Sequence, residues 1–376
     1  MTRVLLVTDI FPPQIGGPAT FIDRLGHALA ARGHDVTVVC SSEGPTHPSD
    51  STRPFRVVRV DLTNRYAYEV RVRAQLAAEL ARHRVVLVNG LEGYVGQVAP
   101  RLRRRFVLKV VGDVVWERGR NLGLVTASFD EFQAASERPA ALAPLTSARR
   151  RYLDAASLVI TPSHHLRDAV IGWGVASDRV DVVPNGVPLE DFSRFAPRAR
   201  GDGALEVAFC GRLTNWKGVE TVLLALQGLD RVRLSVIGDG PALPMLTTLA
   251  AQLGLFERVT FLGRVQPPAM YDRLAAAHVL VLPSAYEGLS HTLLEAAACG
   301  LALVASDIGG NRGVISHERN GLLVPYADVA GLRAALARLH DNEDERLRLA
   351  KAAKASVADF PFEATVAATI DRLGLG

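Results

Sequence analysis

Val279-Leu-Val-Leu-Pro-Ser-Ala-Tyr-Glu287-Gly-Leu-Ser290-His-Thr-Leu-Leu-Glu295-Ala-Ala-Ala298 reads as a strand, a loop and a helix in one sweep. Four aliphatic residues without a polar interruption suit a strand buried on both faces, which a helix-covered parallel sheet supplies. Ser290 is placed to cap the helix, and Leu293, Leu294 and Ala296 to Ala298 give that helix an apolar body. In doubly wound sheets ligands bind beyond the carboxyl ends of strands, so the connecting loop is where chemistry is expected. Two carboxylates sit there. Glu287 leaves from the loop and Glu295 from the second turn of the helix, with seven residues between them. That spacing suits gripping two separate pairs of hydroxyls; the bland alternative is a Glu that only decorates a helix start.

The same grammar extends in both directions. Strands are expected at Val4–Thr8, Val36–Cys40, Arg56–Val60, Val85–Asn89, Phe106–Val111, Ser157–Thr161 and Val180–Pro184, and again near Glu206–Cys210, Arg233–Ile237, Val259–Leu262 and Leu303–Ala305. Amphipathic stretches such as Ala19–Ala31 and Tyr68–Arg82 fall between them. Alternating β and α units with short connections imply two open parallel sheets, each with helices on both faces. A length of 376 residues also suits two domains. The seam is placed at Pro184-Asn-Gly-Val-Pro188, giving domains 1–185 and 186–359, with a last helix at 360–373.

Composition narrows the class. The chain is 48% hydrophobic and 22% charged, as in ordinary globular enzymes. Its 43 basic residues include only four lysines, Lys109, Lys217, Lys351 and Lys354. The net charge of +4 divides unevenly: residues 1–185 carry 24 basic against 18 acidic groups, and residues 186–376 carry 19 against 21. No apolar run reaches the roughly 18 residues of a membrane span. Residues 1–10 turn polar too early for a signal peptide and read as a buried strand. Cys40, Cys210 and Cys299 are odd in number and far apart, which argues against disulfides or a zinc site and for a reducing cytoplasm.

Two further loops could carry chemistry. Asp9-Ile-Phe-Pro-Pro-Gln-Ile-Gly16-Gly17-Pro18 leads into a helix; it is either a plain turn or a place where an anion meets backbone and a helix start. Cys210-Gly-Arg212-Leu-Thr-Asn-Trp-Lys217-Gly218 sets two cations near the start of the next helix, a pyrophosphate-binding design without a Walker A signature. Taken alone, this loop could equally hold two solvated cations.

Together these pieces resemble family 4 of the glycosyltransferases, a retaining, nucleotide-sugar-dependent group with the GT-B fold. The resemblance runs along essentially the whole chain. Its marks are Gly16-Gly17, Pro184-Asn-Gly-Val, Gly211-Arg212…Lys217-Gly218, Ile237-Gly-Asp-Gly-Pro241, Val259-Thr-Phe-Leu-Gly263, the Glu287/Glu295 pair, Ile308-Gly-Gly-Asn311 and Asn320-Gly-Leu-Leu-Val-Pro325. Singly each is weak; the order and spacing are specific.

The resemblance implies two Rossmann-like doubly wound domains facing each other across a cleft, the first on the acceptor side and the second holding the donor. It implies that the last helix packs back on the first domain. Arg212 and Lys217 would hold the donor diphosphate, Glu295 the ribose hydroxyls, and Glu287 the 3- or 4-hydroxyl of a hexose-type sugar. Gly16 and Gly17 would face the diphosphate, and Asp239, Gly240 and the backbone around Gly263 and Arg264 would line the nucleotide, UDP or GDP. Gly288, Leu289, Ser290, His291 and Thr292 would lie near the diphosphate. No cofactor is implied. No two aspartates are spaced i, i+2, so stabilisation of the leaving group by Arg212 and Lys217, without a metal, is the consistent expectation.

One departure stands out. Many family members carry a His after a strand of the first domain, but this chain has no His between His83 and His164. Leu108-Lys-Val-Val-Gly112-Asp113-Val-Val-Trp116-Glu117-Arg118 occupies the place, similar to a subgroup with Gly-Asp there. Asp113 becomes the candidate polar group toward sugar or acceptor, or a turn cap, with Trp116 and Glu117 shaping an acceptor pocket. The missing His also leaves open a nucleotide-sugar-binding protein that has lost ordinary transfer. Arg101 to Arg105 and Arg149 to Arg151 read as a solvated basic face or as contact with an anionic membrane or lipid-linked acceptor. The protein is thus expected in the cytoplasm, free or peripheral at the inner face of the membrane. Nothing in the sequence supports nucleic-acid binding.

Overall fold

The structure is a computed structural model that describes residues 1–14, 16–201 and 203–376. Ile15, in the first loop, and Asp202, in the segment after the seam, lie outside the described residues.

The first sheet has seven strands: β1 (Arg3–Thr8), β2 (Asp35–Ser42), β3 (Arg56–Asp61), β4 (Val85–Asn89), β5 (Val107–Lys109), β6 (Leu158–Thr161) and β7 (Val180–Val182). They lie in the order β3-β2-β1-β4-β5-β6-β7, every pair parallel. The second has six: β8 (Leu205–Cys210), β9 (Val232–Ile237), β10 (Val259–Gly263), β11 (Val279–Leu282), β12 (Ala302–Ser306) and β13 (Leu322–Val324). Their order is β10-β9-β8-β11-β12-β13, again parallel throughout. These are two Rossmann-like doubly wound sheets, as the alternating pattern requires. In each the order reverses beside the first strand, between β1 and β4 and between β8 and β11, which opens a ligand-binding crevice at the carboxyl ends.

The reason is visible in burial. Val4 to Val7 of β1 and Val279 to Val281 of β11 are completely buried, because helices cover both faces. Strand β13 was not expected as a strand. Leu322-Leu-Val324 is too short to show periodicity, and only its pairing with β12 makes it one.

The chain forms two compact units. One contains Met1–Val115, Glu137–Val183 and Thr365–Gly376; the other contains Trp116–Ser136 and Pro184–Ala364. The seam thus falls beside the Pro184-Asn-Gly-Val turn. The segment Trp116–Ser136 departs from chain order, because its aromatic side chains bury among residues of the second unit. Helix Phe362–Arg372 belongs to the first unit from Thr365 onward; there Val366 and Ile370 are buried, and Arg372 Nε lies 2.6 Å from Asp181 Oδ2. Among the described residues, no helix is long and apolar enough to cross a membrane.

Candidate active site

The loops at the carboxyl ends of β8, β9 and β11 are laced into one surface of the second unit. Leu213 N–H donates to Asp239 C=O at 3.0 Å, and Ala242 N–H returns a bond to Leu213 C=O at 3.0 Å. Gly238 N–H reaches Gly263 C=O at 2.8 Å. Gly218, at φ +72°, packs so tightly that a Cβ there would stand 2.2 Å from the Pro283 carbonyl oxygen. Any other residue would force apart the loops that carry Lys217 and Glu287. Gly310 does the same on the far side, where a Cβ would come within 1.9 Å of the Glu287 carbonyl oxygen.

These constraints bring two of the sequence candidates together. Lys217 Nζ lies 2.7 Å from Glu287 Oε1, and both side chains are largely shielded, at 20% and 13% exposure. Arg212 is exposed, and its guanidinium has no hydrogen-bond or ion-pair partner among the described residues. The helix behind Lys217, Val219–Ala225, is only seven residues long. The two side chains are thus the charged groups of this loop, with a short helix start behind them.

Ser290 caps helix His291–Ala298 as expected, accepting from Leu293 N–H at 3.2 Å. Leu289 C=O accepts from the buried Asn185 amide at 3.0 Å, so the turn at Pro184-Asn-Gly-Val also fixes this loop. Glu295 projects from the second turn, with Tyr271 Oη 3.4 Å from its Oε1. Its carboxyl group sits deep among its neighbours, and desolvation pushes its pKa up to about 7. Asp239 Oδ1 accepts from Gly240 N–H at 2.7 Å, and its Oδ2 lies 3.2 Å from Arg264 Nε.

In the first unit Gly16 caps helix Gly17–Ala31 without a side-chain hydrogen bond, and Pro18 opens the helix. Asp113 is completely buried. Its Oδ1 accepts from Val115 N–H at 2.9 Å and from Arg149 Nη1 at 2.7 Å. Arg149 is itself 3% exposed and lies over the Trp173 ring, 4.2 Å from its centroid. This corrects the basic face expected at 149–151. Arg150 and Arg151 are exposed, Arg150 is paired with Asp154, and Arg149 is committed to Asp113. Of the other cluster, Arg101, Arg103 and Arg105 are exposed, while Arg104 is partly buried and bonded to Ala81 C=O.

Three features escaped the sequence reading. Lys109, the last residue of β5, is buried with its Nζ 3.9 Å from the Phe21 ring centroid and no hydrogen-bond partner among the described residues. Burial lowers its pKa to about 7. It is the only lysine in residues 1–185, a signal an Arg-rich chain could have given. Asn185, part of the Pro184-Asn-Gly-Val turn, holds the loop before helix His291–Ala298 through Leu289 C=O. The third is an aromatic group. Trp116 lies edge-to-face with Trp216 and Phe129 and tilted against Tyr286, within the second unit. Its signal was an aromatic residue immediately before Lys217 and another before Glu287.

Among the described residues, no group of three or more His, Cys, Asp or Glu is arranged to hold a metal ion. The surface offers what a phosphorylated, hydroxyl-rich ligand requires: two cations, a carboxylate beside one of them, and a second carboxylate set back on a helix.

Comparison with known proteins agrees with this chemistry. The family described as Glycosyl transferases group 1 matches residues 193–356, and Glycosyltransferase Family 4 matches residues 15–191. A glycogen synthase of Mycobacterium tuberculosis is 29% identical, over 98% of this chain and 93% of its own. A GDP-mannose-dependent alpha-(1-6)-phosphatidylinositol monomannoside mannosyltransferase of the same species is 28% identical, over 94% of this chain and 93% of its own. Among solved structures, a sucrose-phosphate synthase of Thermosynechococcus elongatus superimposes with a TM-score of 0.82 at 23% identity, covering 99% of this chain and 98% of that one. The two sheets are therefore those of the GT-B fold.

Proposed function

This chain belongs to the group 1, family 4 glycosyltransferases, and we propose that it moves a hexose-type sugar from a nucleoside-diphosphate donor to a hydroxyl acceptor with retained anomeric configuration. The observation that carries the reading is the Lys217–Glu287 pair, 2.7 Å apart, with Lys217 on the same loop as Arg212, which is exposed. In this reading the bond from the anomeric carbon to the β-phosphate oxygen breaks, and negative charge grows on the leaving diphosphate. Arg212 and Lys217 stand ready for that charge, so they act on the transition state more than on the ground state. These two cations do the work that a metal ion does in other sugar transferases.

Glu287 accepts from a hydroxyl of the transferred sugar, and Glu295 from the ribose. Gly16 and Gly17 give backbone to the diphosphate, and Asp239, Gly240, Gly263, Arg264 and the 288–292 stretch surround the nucleotide. Asp113 is assigned to the acceptor side, where it is buried in its pair with Arg149 and has no exposed carboxylate of its own. The acceptor is a hydroxyl of a lipid-linked glycan, an envelope polysaccharide or a small molecule. The setting is the cytoplasm, with Arg101, Arg103 and Arg105 facing an anionic membrane surface. The relatives' names favour glucosyl or mannosyl donors, one of them explicitly GDP-mannose.

A thermal-shift panel of nucleotide sugars, with and without EDTA, tests the reading. A bound donor raises the melting temperature by mass action, and EDTA should leave that rise unchanged. Lys217→Ala should weaken nucleoside-diphosphate binding. Glu287→Ala should lose transfer by about 10²-fold, in the range of removing one transition-state contact, with a smaller loss of nucleotide affinity. Equal losses of both in Glu287→Ala would overturn the division of roles between Glu287 and Glu295.

A further inference from the structure

Helix Val114–Asn121 comes directly after Asp113, yet its Trp116 is completely buried within the second unit. The Trp116 ring centroid is 5.9 Å from that of Trp216, 5.7 Å from that of Tyr286 and 6.0 Å from that of Phe129. Phe129 closes the group, 4.3 Å from Tyr286. Trp216 immediately precedes Lys217, and Tyr286 immediately precedes Glu287. Each half of the ion pair therefore hangs from an aromatic residue locked into the same cluster. The two backbones are also tied, by Ala285 N–H donating to Trp216 C=O at 2.7 Å.

The segment that delivers Trp116 is anchored at several points. Trp116 Nε1 donates to Ala127 C=O at 3.2 Å, and Arg120 donates to Thr126 C=O at 2.5 Å and to Tyr326 Oη at 3.4 Å. Asn215, two residues before Lys217, donates through Nδ2 to Arg120 C=O at 3.2 Å. The residues after β5 are thus fastened to the loop of Lys217 itself.

We infer that Trp116 is a positioning residue of the donor site, its indole fixing the separation and orientation of Lys217 and Glu287 without touching substrate. Aromatic groups fill large volumes with few rotamers and prefer tilted or edge-to-face contacts, so they make rigid spacers. A shift of about 1 Å in a group that must meet a developing charge is enough to cost up to about 10²-fold in rate. The inference rests on the functional reading above, in which Lys217 and Glu287 grip diphosphate and sugar.

The test compares the wild type with Trp116→Leu and Trp116→Phe, using UDP-glucose and GDP-mannose as donors. Release of nucleoside diphosphate gives kcat and KM. In a Trp173→Phe background the parent keeps only Trp116 and Trp216, so emission reports the cluster directly. Trp116→Leu should lose about tenfold or more in kcat, with KM for the donor changing much less, and Trp116→Phe should recover most of the loss. Donor should alter emission in the parent and not in Trp116→Leu. A folded Trp116→Leu with wild-type kcat and an unchanged emission response would show that Trp116 only fills space, and would sink the inference alone. So would a Trp116→Phe as damaged as Trp116→Leu. If Trp116→Leu does not fold, Phe129→Leu, which removes the ring behind Tyr286, takes its place with the same expected losses. A wild type that binds neither donor would sink the functional reading together with this inference.

Discussion

Lys217 and Glu287 are 70 residues apart in sequence, and their charged atoms are 2.7 Å apart in the fold. Each was expected to serve a different part of the donor. Each is the other's counter-ion, which keeps two largely shielded charges from standing alone. In the proposed function, a diphosphate and a sugar hydroxyl arriving together take over both partners.

The pair should therefore show thermodynamic coupling. Lys217→Ala leaves a shielded carboxylate without its cation, and Glu287→Ala leaves the reverse; each should cost about 1–3 kcal/mol of stability. The double variant should cost less than the sum, by about 0.5 kcal/mol or more. Urea unfolding of the four proteins measures this, and strict additivity would show that the contact carries no energy.

Glu295 should give the protein a pH-dependent weakness. Its folded pKa of about 7 lies above the usual carboxylate value, so between about pH 4.5 and 7 the unfolded chain releases a proton that the folded protein keeps. Stability from this group is full below that window and falls as pH rises through it. Glu295→Gln should remove the slope. Melting temperatures from pH 4.5 to 8 decide the matter; parallel profiles for the two proteins would refute it.

Lys109 should act with the mirrored sign. Its folded pKa of about 7 lies below the usual 10.5, so the unfolded chain binds the extra proton between these values. The penalty is absent above about pH 10.5, grows as pH falls toward 7, and is constant below. Lys109→Met should gain melting temperature over the wild type by an amount that increases as pH is lowered from 10 to 7. A gain independent of pH would mean that the amine is solvated.

Asp113 and Arg149 form a wholly buried pair, 0% and 4% exposed at their side chains. Removing one partner strands the other's charge, so Asp113→Ala should cost about 3–5 kcal/mol, the range for breaking buried pairs. Chemical denaturation reads the loss directly. A loss below about 1 kcal/mol, typical of surface pairs, would contradict the burial.

Much of this was legible because it is local. The aliphatic run Val279–Leu282 could only be a buried strand, Ser290 could only cap the helix that starts at His291, and the glycines around Lys217 marked a tight loop. Strand β13 was not legible, since three residues carry no period. Nor was the commitment of Arg149, which looked like its neighbours Arg150 and Arg151. On a helix, consecutive residues point in different directions, and only the packing partner decides which arginine is inside.

By itself the sequence determined the alternation of strands and helices, the two parallel sheets and the loops that carry charge, because each depends on residues close in the chain. Tertiary structure decided three things. It set Lys217 against Glu287, it buried Lys109 and Arg149, and it gave Trp116 to the second unit although its chain neighbours up to Val115 belong to the first. Contact and burial are properties of what lies opposite a side chain, and partners such as Asp113 for Arg149, Glu287 for Lys217 and Trp216 for Trp116 are far from it in the chain.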